Sequence, residues 1–163
     1  MNFTTAASAL ALSLLASTAG AQAVRTEKTM SLELANQIAT ATVAACATNN
    51  HNVTAAVVDR GGQLRALQRA DNAGPHTIGA AQGKAYTSAS ARNTTGAILE
   101  NVQKNPGAAT LVDIPGFLVL GGGVPIRVGN DVIGAVGVGG APGGHLDEQC
   151  ANTALAQVAD LLK

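Results

Sequence analysis

The stretch Gly121-Gly-Gly-Val-Pro-Ile-Arg-Val-Gly-Asn-Asp-Val-Ile-Gly-Ala-Val-Gly-Val-Gly-Gly-Ala-Pro-Gly-Gly-His-Leu-Asp-Glu148 holds ten of the chain's nineteen glycines. β-Branched residues in Val124–Val128 and Val132–Val138 flank Gly129-Asn-Asp131, which predicts two strands joined by a tight turn and followed by a helix start. Glycine is favoured where φ is positive or where another backbone or a ligand approaches closely. Its density beside strand residues marks a crowded backbone site, an interface or both.

The elements around this hairpin follow from periodicity and punctuation. Ser31 can cap a helix running to about Asn49, with Glu33 in its first turn. Leu32, Ala35, Ile38, Ala39, Thr42 and Cys46 fall at helical spacing and form its expected buried face. Val53–Asp59 and Gln63–Arg69 read as strands across an Arg60-Gly-Gly62 turn, the second with no clear choice of buried face. His76–Ala91 is a helix rich in small residues, suited to close packing, and Thr94–Gln103 is a second helix ended by Asn105-Pro106. Phe117–Leu120 is expected as a further strand. Leu146–Leu162 closes the chain as a helix with Leu146, Cys150, Thr153, Ala154, Val158 and Leu161 inward. The order is α-ββ-αα-βββ-α, an α+β domain with a five-stranded antiparallel sheet and flanking helices.

The 163 residues suit one domain with a real core. Ten basic and ten acidic residues cancel, and all of them lie at or beyond Arg25. The uncharged start, with its apolar Leu10–Ala16 run and Ala19-Gly-Ala-Gln-Ala23, reads as a signal peptide over residues 1–23. Cleavage after Ala21 or after Ala23 fits the small-x-small rule, although no Lys or Arg stands near Met1. The expected mature domain is 24–163, periplasmic or secreted. No tryptophan is present, and beyond the leader only Tyr86 and Phe117 are aromatic. Without stacking rings or a basic face the chain is not a nucleic-acid binder. No later segment is long and apolar enough for a membrane helix. A small-molecule or protein partner remains.

Five phrases in order are similar to the GlcG/HbpS family of small heme-binding proteins. They are Val57-Val-Asp-Arg-Gly-Gly-Gln-Leu-Arg-Ala66, Arg69-Ala-Asp71, Lys84-Ala-Tyr-Thr87, Gly121-Gly-Gly-Val-Pro-Ile126 and Ile133-Gly-Ala-Val-Gly-Val138, with Asp147-Glu148 following. The likeness runs from about Ser31 to Leu162. Gly74-Pro-His-Thr77 and Gly143-Gly-His-Leu-Asp-Glu148 resemble its exported members. The resemblance implies an α/β sandwich assembled into homo-oligomers. It also implies heme as the suspected cofactor, with roles in heme breakdown or iron sensing for some members and no settled activity for others.

Several residues are candidates for chemistry. His76 opens a helix after a Gly-Pro turn, where an imidazole can ligate heme iron, act as acid and base, or simply cap the helix. Lys84 lies a little over two helical turns further on, on a similar side. It could hold a heme propionate or a substrate carboxylate, or be an ordinary surface lysine. Arg65 and Arg69, on one strand face, could serve the same anions or be solvated. His145 and Glu148 stand at the last helix start, where free N–H groups could cradle a carboxylate, although Asp147 and Glu148 already supply negative charge there. His51, in an Asn-rich turn, reads as a plain turn residue. Cys46 and Cys150, both inward, fit a bridge between the first and last helices or two buried thiols. The glycines match neither G-x-G-x-x-G, where Pro142 holds the last position, nor a P-loop.

Three functions therefore stay open. One is an exported oligomeric heme binder with His76 as axial ligand. Another is an enzyme acting on a small organic acid, with His76 as general base and Glu148 as a partner. The third is a binding or scaffold protein whose glycine-rich strands serve assembly.

Overall fold

The computed structural model describes residues 23–163, so the expected signal peptide lies almost wholly outside the described residues. Helix α1 spans Leu32–Ala47, strands β1 and β2 span Thr54–Asp59 and Leu64–Arg69, and helices α2 and α3 span His76–Ala91 and Thr95–Lys104. A 3-10 helix at Pro106–Asp113 leads through irregular backbone to β3 (Gly123–Val128) and β4 (Asp131–Gly139). Helix α4 (Gly144–Gln157) and a 3-10 turn at Ala159–Leu161 complete the chain. Local chemistry sets the boundaries. Ser31 Oγ accepts the Leu34 N–H and Thr94 Oγ1 the Ala97 N–H, each satisfying an otherwise unpaired first-turn donor.

The strands form one antiparallel sheet of four, in the order β2-β1-β4-β3. The expected fifth strand at Phe117–Leu120 is not formed. Its backbone donors are used elsewhere: Phe117 N–H bonds Ile114 O, Leu118 N–H bonds Thr87 Oγ1 on α2, and Leu120 N–H bonds Leu118 O. The open edge of β3 offers it little. Gly123 N–H donates to Thr95 Oγ1 at 2.7 Å, and Pro125 has no N–H.

The sheet is covered on both faces. Helices α1 and α4 pack on one, over a core that includes Ile38, Val57, Ile126, Val136 and Val138. Helix α2 packs on the other, and there the sheet is lined by small groups. A Cβ at Gly137 would lie 2.1 Å from Ala81 O and 2.4 Å from Ala85 N, and one at Gly123 would lie 2.4 Å from Lys84 O. The α2 backbone thus rests directly on β4 and β3.

The inward stripe of α4 is rotated from the expected one. Asp147, Cys150, Ala151 and Ala154 are buried, whereas Thr153 and Leu161 are exposed. Leu161 lies past the end of α4, where the 3-10 turn breaks the helical phase. Leu32, at the first position of α1, is also exposed rather than buried. The two cysteines do meet: Cys46 and Cys150 form a disulfide between α1 and α4 across 104 residues of sequence.

Two stability predictions follow from this packing. Gly137→Val places a branched side chain against the α2 backbone and should cost about 3 kcal/mol or more in denaturant unfolding. Reducing the Cys46–Cys150 bridge releases a loop of that length and should lower unfolding free energy by about 3–5 kcal/mol, read as a shift in midpoint with and without reductant.

Candidate functional site

Helix α2 carries two of the sequence candidates to one place. His76 is its first residue, after Pro75, which offers no capping side chain. The imidazole is exposed and folds back over Gly74, where a Cβ would come within 2.7 Å of the ring. Two turns on, Lys84 is 3% exposed. It is neither a surface lysine nor a free cation. Its Nζ donates to Asp147 Oδ2 at 2.7 Å and to Val138 O at 2.8 Å. Gly122 makes room for it, because a Cβ there would meet Nζ at 2.8 Å. Asp147, 2% exposed, accepts the Ala141 N–H on its other oxygen at 3.0 Å. Burial pushes the Asp147 carboxyl above its ordinary value, while Lys84 and the Ala141 amide pull it back.

His76, Lys84 and Asp147 line a cavity of about 320 Å³, together with Ala80, Leu120 and the Gly139–Gly144 loop. It sits where the first turns of α2 and α4 converge. His76 also borders a neighbouring polar cavity of about 310 Å³ lined by His51, Asn50, Asn52 and Asn72. His51, read from sequence as a plain turn residue, is therefore a neighbour of His76. The turn that carries it is built on Cys46, whose carbonyl accepts both the Asn49 and the His51 N–H, with Asn50 at φ 58°.

The other candidates lie apart. His145 and Glu148 line a third cavity of about 460 Å³ with Thr94, Glu100 and Leu120. Glu148 Oε1 accepts the Gly96 N–H at 2.7 Å and the Gly122 N–H at 3.3 Å, so its carboxylate ties α3 and the loop before β3 to α4. It faces this cavity and not the one with Lys84, which leaves it no contact with His76. Arg69 donates through Nε and Nη2 to Ala73 O, fixing the loop that delivers His76. Arg65 is exposed on the edge strand β2 and lines none of these cavities. Among the described residues no cluster of three or more His, Cys, Asp or Glu side chains could hold a metal ion, and no helix is long and apolar enough to cross a membrane.

Residues 30–156 match the family described as haem degrading protein HbpS-like. This chain belongs to the HbpS-like family. Protein GlcG of Escherichia coli (strain K12) is 38% identical over 115 residues, 71% of this chain and 84% of that protein. The crystal structure of a double mutant of Streptomyces reticuli HbpS superposes with a TM-score of 0.78 at 34% identity, covering 94% of this chain and 99% of that one. A PduOC:heme complex shares the fold, with a TM-score of 0.70 at 23% identity over 78% of this chain and 94% of that one.

Within this HbpS-like domain the Lys84–Asp147 pair has a measurable signature. Lys84→Met leaves a buried carboxylate without its cation and should cost about 3–5 kcal/mol. Adding Asp147→Asn, which keeps an acceptor for the Ala141 N–H, should recover most of that loss in chemical denaturation.

Proposed function

We propose that this chain is an exported, homo-oligomeric heme-binding protein of the HbpS type, with His76 as the axial ligand of the iron. One observation carries the assignment of the ligand. The His76 imidazole is exposed at the mouth of a cavity, and no described residue holds it in a hydrogen bond. An imidazole free of other partners is available as a ligand to iron. Membership of a family described as haem degrading supports the cofactor, as does the shared fold of a PduOC:heme complex.

The surroundings fit a heme in part. Ala80, Leu120, Ala141 and Pro142 offer apolar contact beside His76. Lys84, which lines the same cavity, is the candidate partner for a propionate, whereas Arg65, Arg69 and His145 lie outside it. The Tyr86–Phe117 pair is not among the lining residues, since Tyr86 packs against Gly62 and Gly116. A cavity of about 320 Å³ stands at the small end of ligand sites, roughly 300–1,000 Å³. A porphyrin anchored at His76 would project beyond it. When bound, heme supplies an iron centre for diatomic-ligand or redox chemistry. The disulfide supports export, because such bridges persist in oxidising compartments.

Titration of the protein with hemin tests this reading. A saturable Soret shift is expected for the wild type, with a changed spectrum or no shift for His76→Ala. No shift in the wild type removes the function, and an identical shift in His76→Ala removes the ligand.

A further inference from the structure

We infer that the cavity between the first turns of α2 and α4 is a binding site for a small carboxylate, with the buried Lys84 ammonium as its central donor. An ammonium has three N–H hydrogens. Two are used, on Asp147 Oδ2 and Val138 O. The third has no acceptor among the described residues, although Lys84 is 3% exposed and lines this cavity. Asp147 does not compete for the same space. Its oxygens are already engaged, Oδ2 by Lys84 and Oδ1 by the Ala141 N–H.

The helix ends add to this donor. Helices α1 and α3 carry side-chain caps, from Ser31 and Thr94. Helices α2 and α4 begin after Pro75 and Gly143, with no side-chain cap on either. Both uncapped ends border the one cavity, through His76 and Thr77 on one side and Gly143 and Gly144 on the other. First-turn N–H groups left without partners favour an anion. The Thr77 N–H is taken by Gly74 O, and the Leu146 and Asp147 N–H groups by Gly143 O, so the His76 and Gly144 N–H groups are the ones that flank the buried ammonium. The pair Lys84–Asp147 is neutral as a unit. The pull on an anion therefore comes from oriented donors, as in other anion-binding backbone concavities.

Shape narrows the class. The cavity of about 320 Å³ suits an acid of a few carbons, with Ala80, Leu120 and Pro142 against its apolar part. The carboxylate could belong to a free small organic acid or be a propionate of a bound heme. The site rests on Lys84 and the helix ends, and it stands whether or not His76 ligates iron.

The test is titration of the oxidised protein with lactate, pyruvate and oxalate, followed by amide chemical shifts. Saturable shifts at His76, Thr77 and Gly143–Leu146 are expected for at least one acid. They should vanish in Ala80→Leu, which fills the cavity from α2 and keeps both Lys84 and Asp147. They should also vanish in the Lys84→Met/Asp147→Asn double variant, which removes the donor without leaving an unpaired buried charge. A parallel arm compares hemin with its dimethyl ester. Weaker binding of the ester, with competition between hemin and the small acids, identifies the occupant as a propionate. Acid binding without such competition identifies a free acid. The site is overturned if no acid gives saturable shifts and the ester binds as hemin does, or if the shifts persist in Ala80→Leu. Hemin binding with neither carboxylate effect overturns this site alone. Acid binding without hemin binding overturns the heme reading alone.

Discussion

The contact between the α2 backbone and β4 is the constraint from which the rest of the architecture follows. With no side chain at Gly137, the Ala81 carbonyl and Ala85 amide can lie where a Cβ would otherwise stand. Helix and strand then meet at backbone distance, and a long side chain on the sheet-facing side of α2 has no space beneath it. Lys84 must run sideways, between β4, Gly122 and α4. An ammonium forced into that position is costly unless paired and hydrogen-bonded. Asp147 and the Val138 carbonyl meet the requirement.

Helix α4 is the counterpart of that contact. Within four residues it presents Asp147 to α2, Glu148 to the α3 start and the Gly122 loop, and Cys150 to α1. Electrostatic, hydrogen-bonded and covalent ties therefore converge on one short segment. Its N-terminus, which borders both the His76 cavity and the Glu148 cavity, is held from every side. The disulfide reaches further: Cys46 also carries the turn that places His51 near His76. Such support is what a binding site on a small domain needs, because the ligand's partners cannot shift to relieve poor geometry.

Much of the site was legible in sequence as residue types, and less of it as pairings. His76 and Lys84 share one side of α2, and helical spacing was enough to see that. The partner of Lys84 was missed because Asp147 sits in the first turn of α4, where a carboxylate is expected for the helix dipole alone. A signal was present. Asp147, Cys150, Ala151 and Ala154 recur at helical spacing, which puts the aspartate on the buried stripe. Glu148 pointed to catalysis on type and position, yet it serves as an acceptor for two backbone amides. His51 looked inert because nothing local links it to His76, and only the left-handed Asn50 and the turn on Cys46 bring it there.

Sequence by itself determined the four helices and four of the five expected strands, both hairpins, the Cys46–Cys150 pairing as one of two alternatives, and the family. These depend on periodicity, turn residues and short phrases, all of which are local. Tertiary structure decided the four-stranded sheet, since Phe117–Leu120 has strand composition but gives its amides to α2 and to turns. It also decided the purpose of the Gly121–Gly144 stretch. Gly122, Gly123 and Gly137 let a helix lie on a strand and enclose a lysine, while Gly139, Gly140, Gly143 and Gly144 line the cavity beside it. Close approach is a property of two segments far apart in the chain, so no window of sequence contains it.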